Sequence, residues 1–222
     1  MLLQNFIVFE GIDGAGTTTQ LDILRKRTSF ASLDRKDVYF TAEPTSSPTG
    51  KFLRQILKGD IKVTDETSAY LFSADRSEHI NGKLTVTEDN TLITGVSEAC
   101  SCNKLVISDR YFFSSLAYQS IKSGLDLPLM LNSVFPLPAL LFYFEIDPEI
   151  SLKRITSRDY TEIYEKEDFL QEVVKQYHKV LSLYQQKEYS QGMKIVSIDA
   201  TQSKEDISKI IWEEVKKLPI IQ

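Results

Sequence analysis

An apolar run of β-forming residues, Phe6-Ile-Val-Phe-Glu10, stops abruptly at glycine, and the chain continues Gly11-Ile-Asp-Gly-Ala-Gly-Thr-Thr-Thr19. Three glycines fall between positions 11 and 16, and Leu21, Ile23 and Leu24 then follow at helical spacing. A strand, a glycine-rich loop and a helix start in this order match the phosphate-binding P-loop, G-x-x-x-x-G-K-[ST]. Glycines suit such a loop because its backbone must curl with φ > 0 and approach a ligand closely. The curled amides and the helix N-terminus then offer N–H donors and positive potential to an anion. On this pattern Gly11, Ile12, Asp13, Gly14, Ala15, Gly16, Thr17 and Thr18 would cradle the phosphates of a nucleoside triphosphate. Thr17 stands where the motif has lysine. A tight glycine turn without a ligand is the alternative, and the flanking strand and helix argue against it.

At 222 residues the expectation is one large α/β domain, able to bury its apolar surface without staples. Charged residues make up 26% and hydrophobic residues 42%, which excludes a disordered or membrane-spanning composition. Lys and Arg number 26 against 31 Asp and Glu, so the net charge is −5. No nucleic-acid partner is expected of so acidic a chain. A phosphate ligand would have to be held by local cations against the overall field. The N-terminus lacks the charged region and cleavage site of a leader, and no apolar run approaches the ~20 residues of a membrane span. Cys100 and Cys102 are too close for an ordinary disulfide and lack a second ligand pair, so free thiols and a cytoplasmic setting are expected.

Along the chain, strands are expected near Asn5–Glu10, Asp37–Thr41, Lys104–Ser108, Ala139–Glu145 and Lys194–Ile198. Helices are expected over about Thr18–Phe30, Pro48–Lys58 (capped by Ser47), Asp65–His79, Val96–Cys102, Phe113–Lys122, Leu129–Val134, Pro148–Ser157, Phe169–Lys187 and Ser203–Lys217. Lys83–Thr87 and Asn90–Thr94 are rich in β-branched residues and read as an inserted hairpin, about residues 83–94. Strands alternating with helices imply a parallel sheet with right-handed crossovers. The nearly continuous apolar run Ala139–Glu145 suits a sheet covered on both faces.

A P-loop needs a second acid at a strand end. Asp109 stands where the strand Lys104–Ser108 stops, and it could hold Mg²⁺ alongside the Thr18 hydroxyl. Arg110 beside it would present a fork of donors to phosphate. Taken alone, Asp109-Arg110 would be a surface pair closing a strand; the P-loop changes that balance.

With Phe9-Glu-Gly-Ile-Asp-Gly-Ala-Gly16, Thr41-Ala-Glu-Pro44, Leu71-Phe-Ser-Ala-Asp-Arg76, Asp109-Arg-Tyr111 and Ser114-Ser-Leu-Ala-Tyr-Gln119 in this order, the chain resembles the thymidylate kinase family of P-loop nucleoside monophosphate kinases. The resemblance covers nearly the whole length, with Glu145–Arg158 similar to the run into a mobile lid at about 158–168. It implies a three-layer P-loop kinase fold, a five-stranded parallel sheet between helices, and in-line transfer of the ATP γ-phosphoryl to dTMP with Mg²⁺. It also implies a homodimer and a role in dTTP synthesis. Asp13, Asp109, Arg110 and Arg158 are the implied catalytic residues, with Thr18 and Asp109 at the metal. Asp13, Glu43, Phe72, Arg76, Arg110, Ser115, Tyr118 and Gln119 are the implied dTMP contacts. Phe72 would stack on the base, an aromatic partner being natural there, although an aromatic on a helical apolar face is by itself a core residue. Arg76, Ser115 and Gln119 would read the base, Tyr118 would crowd the sugar and favour the deoxy form, and Arg110 would hold the acceptor phosphate. Arg158 would close over adenine and phosphates.

Several cations of the family pattern are missing. Thr17 replaces the P-loop lysine, Ala42 stands where arginine is usual, and Glu162 in Tyr160-Thr-Glu-Ile-Tyr164 lies near the place of a lid arginine. Losing one transition-state donor typically costs about 2.7–4 kcal/mol. Either other cations compensate, with Lys51, Arg54, Lys153, Arg154 and Lys166 as candidates, or transfer is weak. A nucleotide-binding kinase homologue with little transfer and a kinase for another monophosphate are the alternatives.

Overall fold

The computed structural model describes residues 1–28, 38–82, 85–86, 92–155 and 167–221, with the backbone course alone for Thr28, Thr85, Val86, Leu92 and Ile93. Phe30, Asp37, the tip of the expected hairpin, Arg158, Tyr160–Tyr164 and Lys166 lie outside the described residues.

Five strands form one parallel sheet: β1 (Leu2–Gly11), β2 (Val38–Ala42), β5 (Leu105–Asp109), β6 (Leu137–Glu145) and β7 (Lys194–Asp199). Their spatial order is β2-β5-β1-β6-β7. The sheet is flanked by helices, the α/β arrangement of a P-loop kinase fold. Phe6, Ile7, Val8 and Phe9 of β1 are fully buried, as are Leu141 and Phe142 of β6, because helices cover both faces. Two short strands, β3 (Thr85–Val86) and β4 (Leu92–Ile93), pair antiparallel apart from that sheet. Among the described residues no helix is long and apolar enough to cross a membrane. Cys100 and Cys102 are free thiols.

The register gathers strand ends along one edge. Phe9 pairs with Asp109, Gly11 with Phe144, and Ala42 with Asp109. The order reverses direction at β1, and ligands of open parallel sheets bind beyond the carboxyl ends of strands at such a switch point. The P-loop, Glu43 and Arg110 therefore all emerge at one place.

Helix α1 (Thr17–Thr28) follows the P-loop, and α2 (Pro48–Leu57) follows β2. Ser47 caps α2 by accepting from the Gly50 amide at 3.2 Å, with Pro48 at its first position. Helix α3 (Asp65–Asn81) is capped by Thr64 and begins with Asp65 and Glu66. Helix α4 (Val96–Ser101) precedes β5.

Two expected helices differ in outline. The stretch expected as one helix over Phe113–Lys122 divides into α5 (Phe112–Tyr118) and α6 (Ser120–Ser123). The Ser120 hydroxyl donates back to the Leu116 carbonyl and reaches that of Ala117 at 3.5 Å, competing with the main-chain ladder where the break falls. Helix α7 spans Asp126–Asn132 rather than Leu129–Val134. Pro128 sits in its first turn, where a missing N–H leaves no helical bond unmade. Past β6 come α8 (Pro148–Ile155), α9 (Glu167–Gln185), α10 (Lys187–Ser190) and, after β7, α11 (Lys204–Val215), capped by Ser203.

Candidate active site

The loop after β1 curls at Gly14 (φ 78°) and Gly16 (φ 95°). A Cβ at Gly14 would lie 2.6 Å from the Ser151 carbonyl oxygen, so α8 packs against the bare backbone. The Ser151 hydroxyl donates to the Asp13 carbonyl and pins the loop from the same side. Residues 12–20 line a cavity of about 590 Å³, closed by Asp109, Arg110, Arg154 and the start of α11, including Lys204. Thr17 and Thr18 begin α1 at its floor.

Asp109 ends β5 against this loop. Its Oδ2 accepts from the Thr18 hydroxyl at 3.2 Å, while the enclosed Oδ1 has no hydrogen-bond partner. Burial pushes the Asp109 carboxyl up, with Arg110, Thr17 and Thr18 opposing the rise. An orphaned carboxylate oxygen beside a hydroxyl is a donor set of hard oxygens, which suits a divalent cation that takes its remaining ligands from phosphates and water. Among the described residues no cluster of three or more His, Cys, Asp or Glu forms a self-sufficient metal cage.

Arg110 adopts a left-handed backbone (φ 68°), uncommon for any residue but glycine. Its amide donates to the Phe9 carbonyl at 2.8 Å, and its own carbonyl accepts from the Ser108 hydroxyl at 2.7 Å. This turn aims the guanidinium back at the P-loop. Nη2 meets Asp13 Oδ1 at 2.7 Å; Nη1 meets the Gly11 carbonyl at 2.7 Å and Ser114 Oγ at 3.1 Å. Burial disfavours the charge, but Asp13 above all outweighs it and holds the Arg110 pKa well above its usual value.

On the far side of Arg110 lies a second cavity, about 220 Å³, walled by Phe72, Arg76, Ser115, Tyr118 and Gln119. Asp13, Asp109 and Arg110 line both cavities. Arg76, 1% exposed, spends most of its donors inside the protein. Nε and Nη2 donate to Glu43 Oε2 at 2.9 and 2.6 Å, Nη1 to Asn132 Oδ1 at 2.5 Å, and Nη2 to Ser115 Oγ at 3.0 Å. Glu43 therefore lines the cavity with its carboxylate occupied by Arg76 and by His79 Nδ1 at 2.8 Å. Burial alone would push its carboxyl up; Arg76 and His79 outweigh burial and hold it below the usual range. Phe72 is half-buried on the cavity wall, and the Gln119 Oε1 is enclosed without a partner. Tyr118 is buried, 5.8 Å from ring centre to the Arg110 guanidinium carbon.

The candidate cations separate clearly. Arg154 Nη2 donates to the Ala200 carbonyl at 3.0 Å and Nη1 approaches that of Gly14 at 3.4 Å, across the first cavity. Arg54 donates to the Pro44 carbonyl and lines the second cavity. Lys51 faces a neighbouring groove, and Lys153 pairs with Glu149 at 2.6 Å on the surface.

Several residues of the site have no role that the sequence assigns. Glu10 reads as the end of an apolar strand. It is fully buried behind the P-loop, where its carboxylate caps α5. Asn132, His79, Ser114 and Lys204 reach the site only through tertiary packing. A polar residue closing an otherwise apolar strand was the one available clue to Glu10.

A family model described as thymidylate kinase matches residues 9–211. The chain is 36% identical over 217 residues to a probable thymidylate kinase of Methanocaldococcus jannaschii, covering 96% of this chain and 97% of that one. It is 32% identical over 227 residues to a thymidylate kinase of Finegoldia magna, covering 97% and 100%. A Treponema pallidum protein provisionally given the same name is 35% identical over 217 residues, covering 97% of each.

Proposed function

The chain belongs to the thymidylate kinase family, and from that premise we propose that it transfers the γ-phosphoryl of ATP to dTMP, giving dTDP and ADP. One observation carries the reading: two cavities, one floored by a P-loop and one sized for a small ring, meet at Asp13, Asp109 and Arg110. A donor phosphate in the first and an acceptor phosphate in the second would face each other across Arg110. Phosphoryl transfer is driven by positioning and charge stabilisation, which such a junction supplies.

The base wall supports a thymine or uracil ring. Ser115 Oγ accepts from Arg76, so its own proton is left to donate, while Gln119 Oε1 stands ready to accept. A donor beside an acceptor matches the O4 and N3–H of thymine and opposes the amino group of cytosine. Phe72 offers an aromatic face to the ring. Tyr118 narrows the sugar position and would favour the deoxy form.

Thr18 and Asp109 would hold Mg²⁺, which when bound neutralises charge on the donor phosphates. Asp13 holds Arg110 in place and stands near the sugar side of the junction. Arg158 is inferred to close over the donor nucleotide. With Thr17 neutral, Arg154 is the inferred source of compensating charge, since backbone carbonyls rather than a carboxylate hold it over the loop. We infer a role in cytoplasmic dTTP supply and a homodimer by analogy with the family; sedimentation of the purified chain tests the second.

Coupled turnover with ATP, Mg²⁺ and dTMP tests the proposal. Product dTDP above background supports it. Binding of both nucleotides without dTDP would favour a kinase homologue that has lost transfer, the reading Thr17 and Glu162 motivate. Equal or better use of dUMP, UMP, CMP or AMP would move the substrate assignment.

A further inference from the structure

Glu10 is 0% exposed, and each of its carboxylate oxygens has a separate task. Oε1 accepts the Tyr111 amide at 2.8 Å and the Ser114 amide at 3.2 Å. It thereby caps α5, whose own N-cap residue makes no side-chain bond. Oε2 accepts the Ser114 hydroxyl at 2.6 Å and the Tyr177 hydroxyl at 2.9 Å. Ser114 has a single hydroxyl proton. Tyr177 Oη also lies 2.9 Å from that hydroxyl, but the Glu10 carboxylate is the nearer and charged acceptor, and with the proton on Glu10 the Ser114 lone pairs are turned toward Arg110 Nη1, 3.1 Å away.

We propose that Glu10 is a positioning residue for the phosphate-binding arginine: through the Ser114 hydroxyl it fixes the rotation of the Arg110 guanidinium between the two cavities. The proposal rests on the reading that Arg110 receives the acceptor phosphate. Asp13, the Gly11 carbonyl and Ser114 each accept from this guanidinium. Asp13 and Gly11 belong to the P-loop side. Ser114 accepts on the acceptor side, and among the described carboxylates Glu10 alone sets its orientation. A planar fork gains geometric specificity only when its rotation is fixed.

Glu10→Gln separates the two tasks. The amide oxygen can keep the α5 cap, while the amide nitrogen must donate to Ser114 Oγ and Tyr177 Oη. The Ser114 hydroxyl is then turned and its lone pair no longer reserved for Arg110. Ser114→Ala removes the same link from the other end and leaves Glu10 in place.

Calorimetry of the full chain at pH 8.5, where Glu10 is the carboxylate that accepts these bonds, with dTMP and with thymidine reads the effect, since the two ligands differ only in the phosphate. The wild type is expected to prefer dTMP. Glu10→Gln and Ser114→Ala should each reduce that preference about tenfold, with thymidine affinity within about twofold of wild type and the double variant no worse than either single one. An unchanged or greater dTMP preference in both variants would overturn the proposal. So would a parallel loss of both ligands, the mark of a merely structural role. A wild type that binds thymidine as tightly as dTMP would overturn the phosphate assignment itself, and the proposal with it.

Discussion

Arg76 and Glu43 meet in an enclosed pair, Nε and Nη2 of the one lying 2.9 and 2.6 Å from Oε2 of the other. His79 takes the second carboxylate oxygen and hands its other ring nitrogen to the Thr41 hydroxyl at 2.7 Å. The end of β2 is thus fastened to α3 by one carboxylate. Removing it by Glu43→Ala would strand a buried guanidinium, a loss of about 3–5 kcal/mol in urea unfolding. The KM for dTMP should rise in step, because Arg76 also sets the Ser115 hydroxyl.

Glu10 gives the opposite pH signature to Glu43. Burial pushes its carboxyl from 4.5 up to about 7, despite Arg110, Ser114 and Tyr177. A carboxyl that is easier to protonate folded than unfolded adds stability below 4.5, and that contribution is lost as pH rises toward about 7. Its full size is about 3 kcal/mol. Glu43, held low, adds stability above the unfolded carboxylate range and loses it as pH falls through its lower folded value. As pH rises from about 4.5 to about 7 the wild type should therefore lose stability relative to Glu10→Gln, and the difference should level off above that. Parallel Tm curves for the two proteins would contradict this.

The sheet, the P-loop and the helix faces bearing Phe72 and Arg76 could be anticipated because their signals are contiguous or recur at short helical spacing. Gly11–Thr18 needs no partner to be recognised, and Phe72 and Arg76 are one turn apart. The Arg76–Asn132 and Glu10–Ser114 bonds join residues far apart in the chain. No periodicity encodes them. The helix break at Gln119 depends on one Ser120 hydroxyl choosing a carbonyl, below the resolution of any propensity argument. Arg154 could be counted among candidate cations, yet only the packing of α8 against Gly14 brings it over the loop.

Base selection should depend on one amide oxygen. Gln119 Oε1 is enclosed and unpartnered, an unfavourable state for a polar atom unless a ligand donor fills it. Gln119→Leu should lower kcat/KM for dTMP by about 1–3 kcal/mol equivalent, or roughly 5- to 150-fold. The variant should fold at least as stably as wild type, since it removes a buried unsatisfied group. A drop in dTMP use without any narrowing of its advantage over dCMP would count against Gln119 as the reader of N3–H.

Thr17 poses the question of where the donor phosphates find their positive charge. Arg110 is already tied to Asp13, whereas the Arg154 fork spans the Gly14 and Ala200 carbonyls over the same cavity. Among the described residues this guanidinium meets only neutral carbonyls, which leave its full charge for an incoming anion. Arg154→Gln should therefore lower kcat by about 10²–10³. Thr17→Lys alone should leave turnover unchanged or raise it. In the Arg154→Gln background Thr17→Lys should recover at least part of the loss, because a lysine at the head of α1 would return a point charge to the loop. If the two substitutions simply multiplied, with no recovery, Arg154 and position 17 would be serving different parts of the nucleotide, and the charge replacing the lysine would have to come from elsewhere.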